Sequence, residues 1–170
     1  MNTSSIEFRT LTYRQPKTYA AAALFVLGNI ALPQLCHLLP QGGATLLPIY
    51  FFTLVGAYRY GWKVGLLTAL LSPLANAALF GMPAVAALPA ILVKSTLLAL
   101  AAGYAAARYR RATLALVASV VLLYQFAGTA VEWAMTGSLH AALQDFRIGT
   151  PGMLLQIFGG WAAINYLMRK

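Results

Sequence analysis

Lys94 lies in an otherwise apolar stretch, Leu88–Leu100, "LPAILVKSTLLAL". An ammonium in such surroundings needs an anion beside it, because an unpaired buried charge is costly. The chain has three acidic residues, and of these Glu132 alone lies near an apolar segment on the same side as Lys94. A ligand carboxylate or phosphate is the other candidate partner, which makes Lys94 a candidate anion anchor. Asn76, Gln125, Glu132 and Gln156 offer hydrogen-bonding groups around it, and Tyr124, Trp133 and Trp161 offer faces for a flat ring. Aromatic belts at a membrane surface account for Trp133 and Trp161 equally well.

A second set of reactive types is His37, His140 and Asp145, with Cys36 beside His37. Such a set could bind metal or move protons. No two of them have helical ligand spacing, and there is no HExxH, GxSxG or CxxC motif. No Walker-type phosphate loop is present either. The expectation is a protein that is not an enzyme and that carries no cofactor and no metal.

These residues must be held by apolar elements. The chain has 170 residues, of which 61% are hydrophobic and 9% charged. Soluble domains carry about 25% charged residues, so lipid is the expected solvent. The net charge of +9 does not indicate nucleic acid, because the basic residues sit at the ends of apolar runs rather than on one face. The lone Cys36 excludes an internal disulfide. No cleavable signal peptide is evident.

A helix needs roughly 20 apolar residues to cross a bilayer. Six runs are expected: Thr18–Cys36, Ala44–Ala57, Trp62–Phe80, Ala84–Ala107, Ala112–Trp133 and Pro151–Met168. The fold class is therefore an all-α integral membrane protein, with residues 1–17 as a basic leader and residues 18–170 as one six-helix domain. Lys and Arg accumulate on the cytoplasmic side. Arg9, Arg14, Lys17, Arg59, Lys63, Arg108, Arg110, Arg111, Arg169 and Lys170 all fall on one side of this arrangement. Both termini are expected inside, with Ala134–Thr150 outside.

Polar residues gather in the outer halves of the runs: Asn29, Gln34, Thr45, Ser72, Asn76, Gln125, Thr129, Glu132 and Gln156. That bias predicts a polar cavity open to the outside rather than a pore. Counted from Ala84, Lys94 lies about 15 Å deep at 1.5 Å per residue. Towards the inside, Ala57, Gly61, Gly65 and Ala69 form a small-residue stripe, and Ser95, Ala99, Gly103 and Ala107 form another. Such stripes permit close helix approach, within the chain or against a partner.

The passage "LPIYFFTLVGAYRYGWKVGLLTALLSPLANAALFGMP", with its proline-started second helix, its Gly56, Gly61 and Gly65 series over a tight turn, and Asn76 before a Gly/Pro loop, resembles the substrate-binding S component of energy-coupling-factor (ECF) vitamin transporters. The resemblance covers most of the chain by topology and residues 47–83 by motif. It implies a multi-pass protein of a prokaryotic plasma (inner) membrane that captures a vitamin or precursor from outside. It also implies docking on a membrane coupling protein that carries two cytoplasmic ATPases; the stripe of Ala57, Gly61, Gly65 and Ala69, read from its spacing, is the candidate docking face. The loops over the pocket would be His37–Gly43, Gly81–Pro83 and Ala134–Thr150. The expected ligand is a small anionic molecule with an apolar or aromatic body. A stand-alone carrier is the alternative, and a small membrane enzyme a weaker one.

Overall fold

The computed structural model describes residues 10–168. Arg9, Arg169, Lys170 and most of the expected leader lie outside the described residues. The elements are α1 (Pro16–Cys36), α2 (Gly42–Leu46), a 3-10 turn (Pro48–Tyr50), α3 (Phe51–Tyr60), α4 (Trp62–Phe80), α5 (Leu88–Tyr109), α6 (Leu114–Thr136), α7 (Leu139–Ala142), α8 (Gln144–Arg147), α9 (Thr150–Leu154), a π-turn (Leu155–Gly159) and α10 (Gly160–Met168). Among the described residues there is no strand. Four helices, α1, α4, α5 and α6, are long and apolar enough to cross a membrane. Leu24, Leu27, Leu123 and Phe126 are all more than half exposed on them, an outer surface that suits lipid and not water.

Local chemistry sets the boundaries. Pro16, Pro89 and Pro151 sit in the first turns of α1, α5 and α9, where a missing N–H costs nothing. Thr113 caps α6 by accepting a hydrogen bond from the Leu116 N–H at 3.2 Å. α3 and α4 are joined by Gly61 alone, at φ 91°, a conformation that strains any residue with a side chain. The expected second run, Ala44–Ala57, is not one helix. It breaks at Leu47, which is left-handed at φ 46° and precedes Pro48; a proline pushes the preceding residue out of the helical region. The fourth run begins at Leu88, not Ala84, so Lys94 lies six residues from the helix start. That is roughly 9 Å along the axis, shallower than counting from Ala84 suggests.

α4 and α5 form the centre, with α1 and α3 against α4, and α6 against α5. α10 packs on α3, and the π-turn on α6. One end of the bundle carries Arg59, Lys63 and Arg108–Arg111 and is called the basic end here. Its core is apolar: Leu54, Val64, Leu98, Ala102, Val117, Val121 and Ile164 are sealed from the surface. Neutral hydrogen bonds tie down the α5–α6 link. Tyr58 Oη donates to the Arg111 carbonyl, and Trp161 Nε1 and Asn165 Nδ2 both donate to the Ala112 carbonyl.

The small-residue stripe is used inside the chain. Ala57 and Ala69 are fully buried, and a side chain at Gly65 would overlap Ala57 and crowd Ala99. A side chain at Gly103 would meet the backbone of Trp62. Of the expected docking face of Ala57, Gly61, Gly65 and Ala69, the residues Ala57, Gly65 and Ala69 are used inside the chain. α3, α4 and α5 close on one another at Ala57, Gly65 and Ala69, which are buried, while Gly61 is half-buried beside Thr10.

Candidate functional site

The site is built at the other end of α5 and α6, which carries the segments around residues 37–47, 81–87 and 137–149. α5 and α6 pack side by side, and a side chain at Gly128 would run into the Lys94 stem. Lys94 is 3% exposed. Its Nζ lies 2.5 Å from Glu132 Oε2, one turn from Gly128 on α6. It also donates a 2.9 Å hydrogen bond to Asp145 Oδ2 on α8. Both carboxylates are largely shielded, with side chains 18% and 14% exposed. One ammonium thus faces two carboxylates in low-dielectric surroundings, where removing one partner of a pair strands the other.

Beside this cluster lies a cavity of about 320 Å³. His37 and Gly43 line it from the segment after α1. Met82 and Pro83 line it from the α4–α5 link, and Gln144 and Asp145 from α8. Much of the wall is apolar, with Pro33, Leu47, Ile49 and Ile91 among its residues. Two polar groups stand out on it. Asp145 lines the cavity while its Oδ2 accepts a hydrogen bond from Lys94. Asn76 is 1% exposed; its Nδ2 donates to the Asn29 and Ser72 carbonyls, both at 2.9 Å. That fixes the amide orientation, since only an NH2 group can face two carbonyl oxygens. Asn76 Oδ1 is left buried without a protein partner.

Asn76 is positioned by a satisfied network. Asn29 Nδ2 donates to Thr53 Oγ1 and Ser72 Oγ, and Asn29 Oδ1 accepts from the Phe52 N–H. These bonds lock α1, α3 and α4 together below the cavity. Tyr50 lines the cavity and stands 5.5 Å, centroid to centroid, from Tyr124. Tyr124 Oη donates to Gln156 Oε1 at 2.8 Å. Gln156 sits in the π-turn, a local irregularity that often marks functional positions. Gln125, Ser95 and Thr129 are buried with side-chain polar atoms that lack protein partners.

The structure thus gathers Lys94, Glu132 and Asn76 at this end, and places Tyr124, Gln125 and Gln156 in the bundle beneath. Trp133 is half exposed on the outer surface and does not line the cavity. Trp161 belongs to the basic end, through its bond to Ala112. Lys94 is not among the residues on the cavity wall. Its ammonium is taken by two protein carboxylates, which corrects the expectation that it presents a free charge to an anionic ligand. The metal-like set does not converge. Asp145 goes to Lys94, His140 contacts Arg147, and His37 lines the cavity.

Asp145 is the residue that sequence reasoning missed as a partner of Lys94. Its distance along the chain concealed it. The signal was available in the count of acids: a buried lysine in a chain with only three acids draws on each acid within reach.

The ion cluster makes a stability prediction. Lys94→Met leaves two buried carboxylates without a cation and should cost about 3–5 kcal/mol. Glu132→Gln or Asp145→Asn alone should cost less, because the other carboxylate still neutralises Lys94. Adding both to Lys94→Met should recover most of the loss. Thermal unfolding of the purified protein in detergent measures all of these, and a Lys94→Met variant as stable as the parent would contradict the pairing.

No family model, no curated protein and no solved structure matches this chain.

Proposed function

We propose that the chain is the substrate-capture subunit of an ECF-type importer for a vitamin-like small molecule. The observation that carries this reading is the cavity of about 320 Å³ under three connecting segments, with buried polar groups on its wall. Its volume falls within the usual range for small-molecule pockets, about 300–1,000 Å³. The mix of apolar wall and few polar groups also suits a small organic ligand. The basic end is packed shut by apolar and small side chains, so a ligand that enters from the cavity end meets no through-path. A binder of this form needs a partner to complete transport, and a membrane coupling protein with cytoplasmic ATPases is the partner that the residue 47–83 resemblance implies.

In the same proposal the chain spans the membrane six times. α1, α4, α5 and α6 are joined by the shorter Pro48–Tyr60 and Thr150–Met168 segments. A cytoplasmic basic end with both termini inside is supported by Arg14, Lys17, Arg59, Lys63, Arg108, Arg110 and Arg111, since Lys and Arg accumulate on the cytoplasmic side. The membrane is then a prokaryotic plasma (inner) membrane, and the cavity opens outward. On a Cys36→Ala background, a membrane-impermeant thiol reagent added to intact cells should label Ala84→Cys on the cavity wall. It should label Arg111→Cys only after lysis. The reverse pattern would put the cavity on the cytoplasmic side.

Capture itself is tested by what the protein retains. Small molecules released by denaturing the purified chain, identified by mass spectrometry, should include a species that is depleted from Ala87→Trp, which fills the cavity. Identical profiles from parent and variant would count against a capture role.

A further inference from the structure

The charge balance of the cavity end carries a second step, which rests on the capture reading above. Lys94 needs one carboxylate for neutrality, and Glu132 at 2.5 Å supplies it. Asp145, at 2.9 Å from the same Nζ, is a surplus negative charge. It is also the carboxylate that lines the cavity, whereas Glu132 does not. A shielded negative charge beyond what its partner requires is unfavourable unless something positive meets it. Asn76, also on the wall, keeps Oδ1 as a buried acceptor while its own amide nitrogen is fully committed. Among the described residues no lysine or arginine lines the cavity, and the titratable base on its wall is His37. Arg147, on the same short helix as Asp145, is directed to His140.

We propose that the cavity selects a ligand bearing a protonated or N–H-rich nitrogen on an apolar body, and that it discriminates against anions. The cationic end meets Asp145, an N–H reaches Asn76 Oδ1, and the body lies against Leu47, Ile49 and Ile91. Lys94 then acts as a positioning residue. It holds Asp145 at the wall and keeps part of its charge, while Glu132 keeps Lys94 neutralised whichever way Asp145 turns. The ligand is bound unchanged, so no bond is made or broken.

The test uses a matched pair of probes, 4-phenylbutylamine and 4-phenylbutanoate, which differ in the sign of the charged end. Thermal unfolding of the detergent-purified full chain is followed with each at fixed neutral pH. The amine should raise Tm in a saturable way and the carboxylate should not. Asp145→Asn keeps a neutral Lys94–Glu132 pair, so it should still fold, and should bind the amine at least roughly tenfold more weakly. Ala87→Trp fills the cavity without touching the ion cluster and should also abolish the shift. It decides the question if Asp145→Asn does not fold. Preference for the carboxylate would overturn this inference and leave the capture reading standing. Equal stabilisation by both probes, or an amine shift that survives Asp145→Asn, would also overturn it, because the apolar wall alone would then be binding. Stabilisation by neither would overturn this inference, while the capture reading stands or falls on the retained-molecule profile of parent and Ala87→Trp.

Discussion

The cavity end depends on one constraint: an ammonium buried beside α6 must be neutralised by groups the chain can bring to it. Lys94 draws Glu132 from its own helix pair and Asp145 from a short helix about fifty residues further on. The second of these ties makes the site, because it fastens the segment between α6 and α9 down over the bundle. Phe126 and Phe146 support it, with ring centroids 5.0 Å apart. So does Gly149, where a side chain would collide with the Asp145 backbone and Leu47. The cavity lies between this fastened segment and α4. An ion pair at such a place contributes little net stability against an apolar replacement, but it sets which geometry the segment adopts.

The two ends of the bundle are held by different physics. At the basic end, small residues let α3, α4 and α5 pack tightly, and the α5–α6 link has its carbonyls satisfied by Tyr58, Trp161 and Asn165. Polar atoms there are largely paired. Towards the cavity end, Asn76, Ser95, Gln125, Thr129 and Gln156 keep buried polar atoms without protein partners. Each such atom carries a desolvation cost of about 1–3 kcal/mol. Of these residues, Asn76 lines the cavity.

Much of this was legible in the sequence, for identifiable reasons. The expected run Trp62–Phe80 coincides with α4, which Gly61 and Gly81 bound at positive φ, and glycine at a helix end is a local signal. The polar residues in the helix halves away from the basic links lie towards the end that carries the cavity. The sequence could not show that Ala57, Gly65 and Ala69 are spent internally, because a small-residue face looks the same whether its partner is α5 or another protein. Nor could it show that Lys94 is answered twice. Asp145 is brought to it by the turns at Gly137 and Leu143, whose effect depends on the whole segment. The start of α5 was misplaced because residues 84–87 are apolar yet do not join the helix before Pro89.

The central claim is that the Lys94 cluster fastens the segment over the cavity. Hydrogen exchange of the amides in residues 139–149, compared between the parent and Lys94→Met in detergent, measures this directly. The account predicts faster exchange in that segment, with α4 and the basic ends of α5 and α6 unchanged. Unaltered exchange in residues 139–149, or an increase spread evenly over all helices, would contradict it.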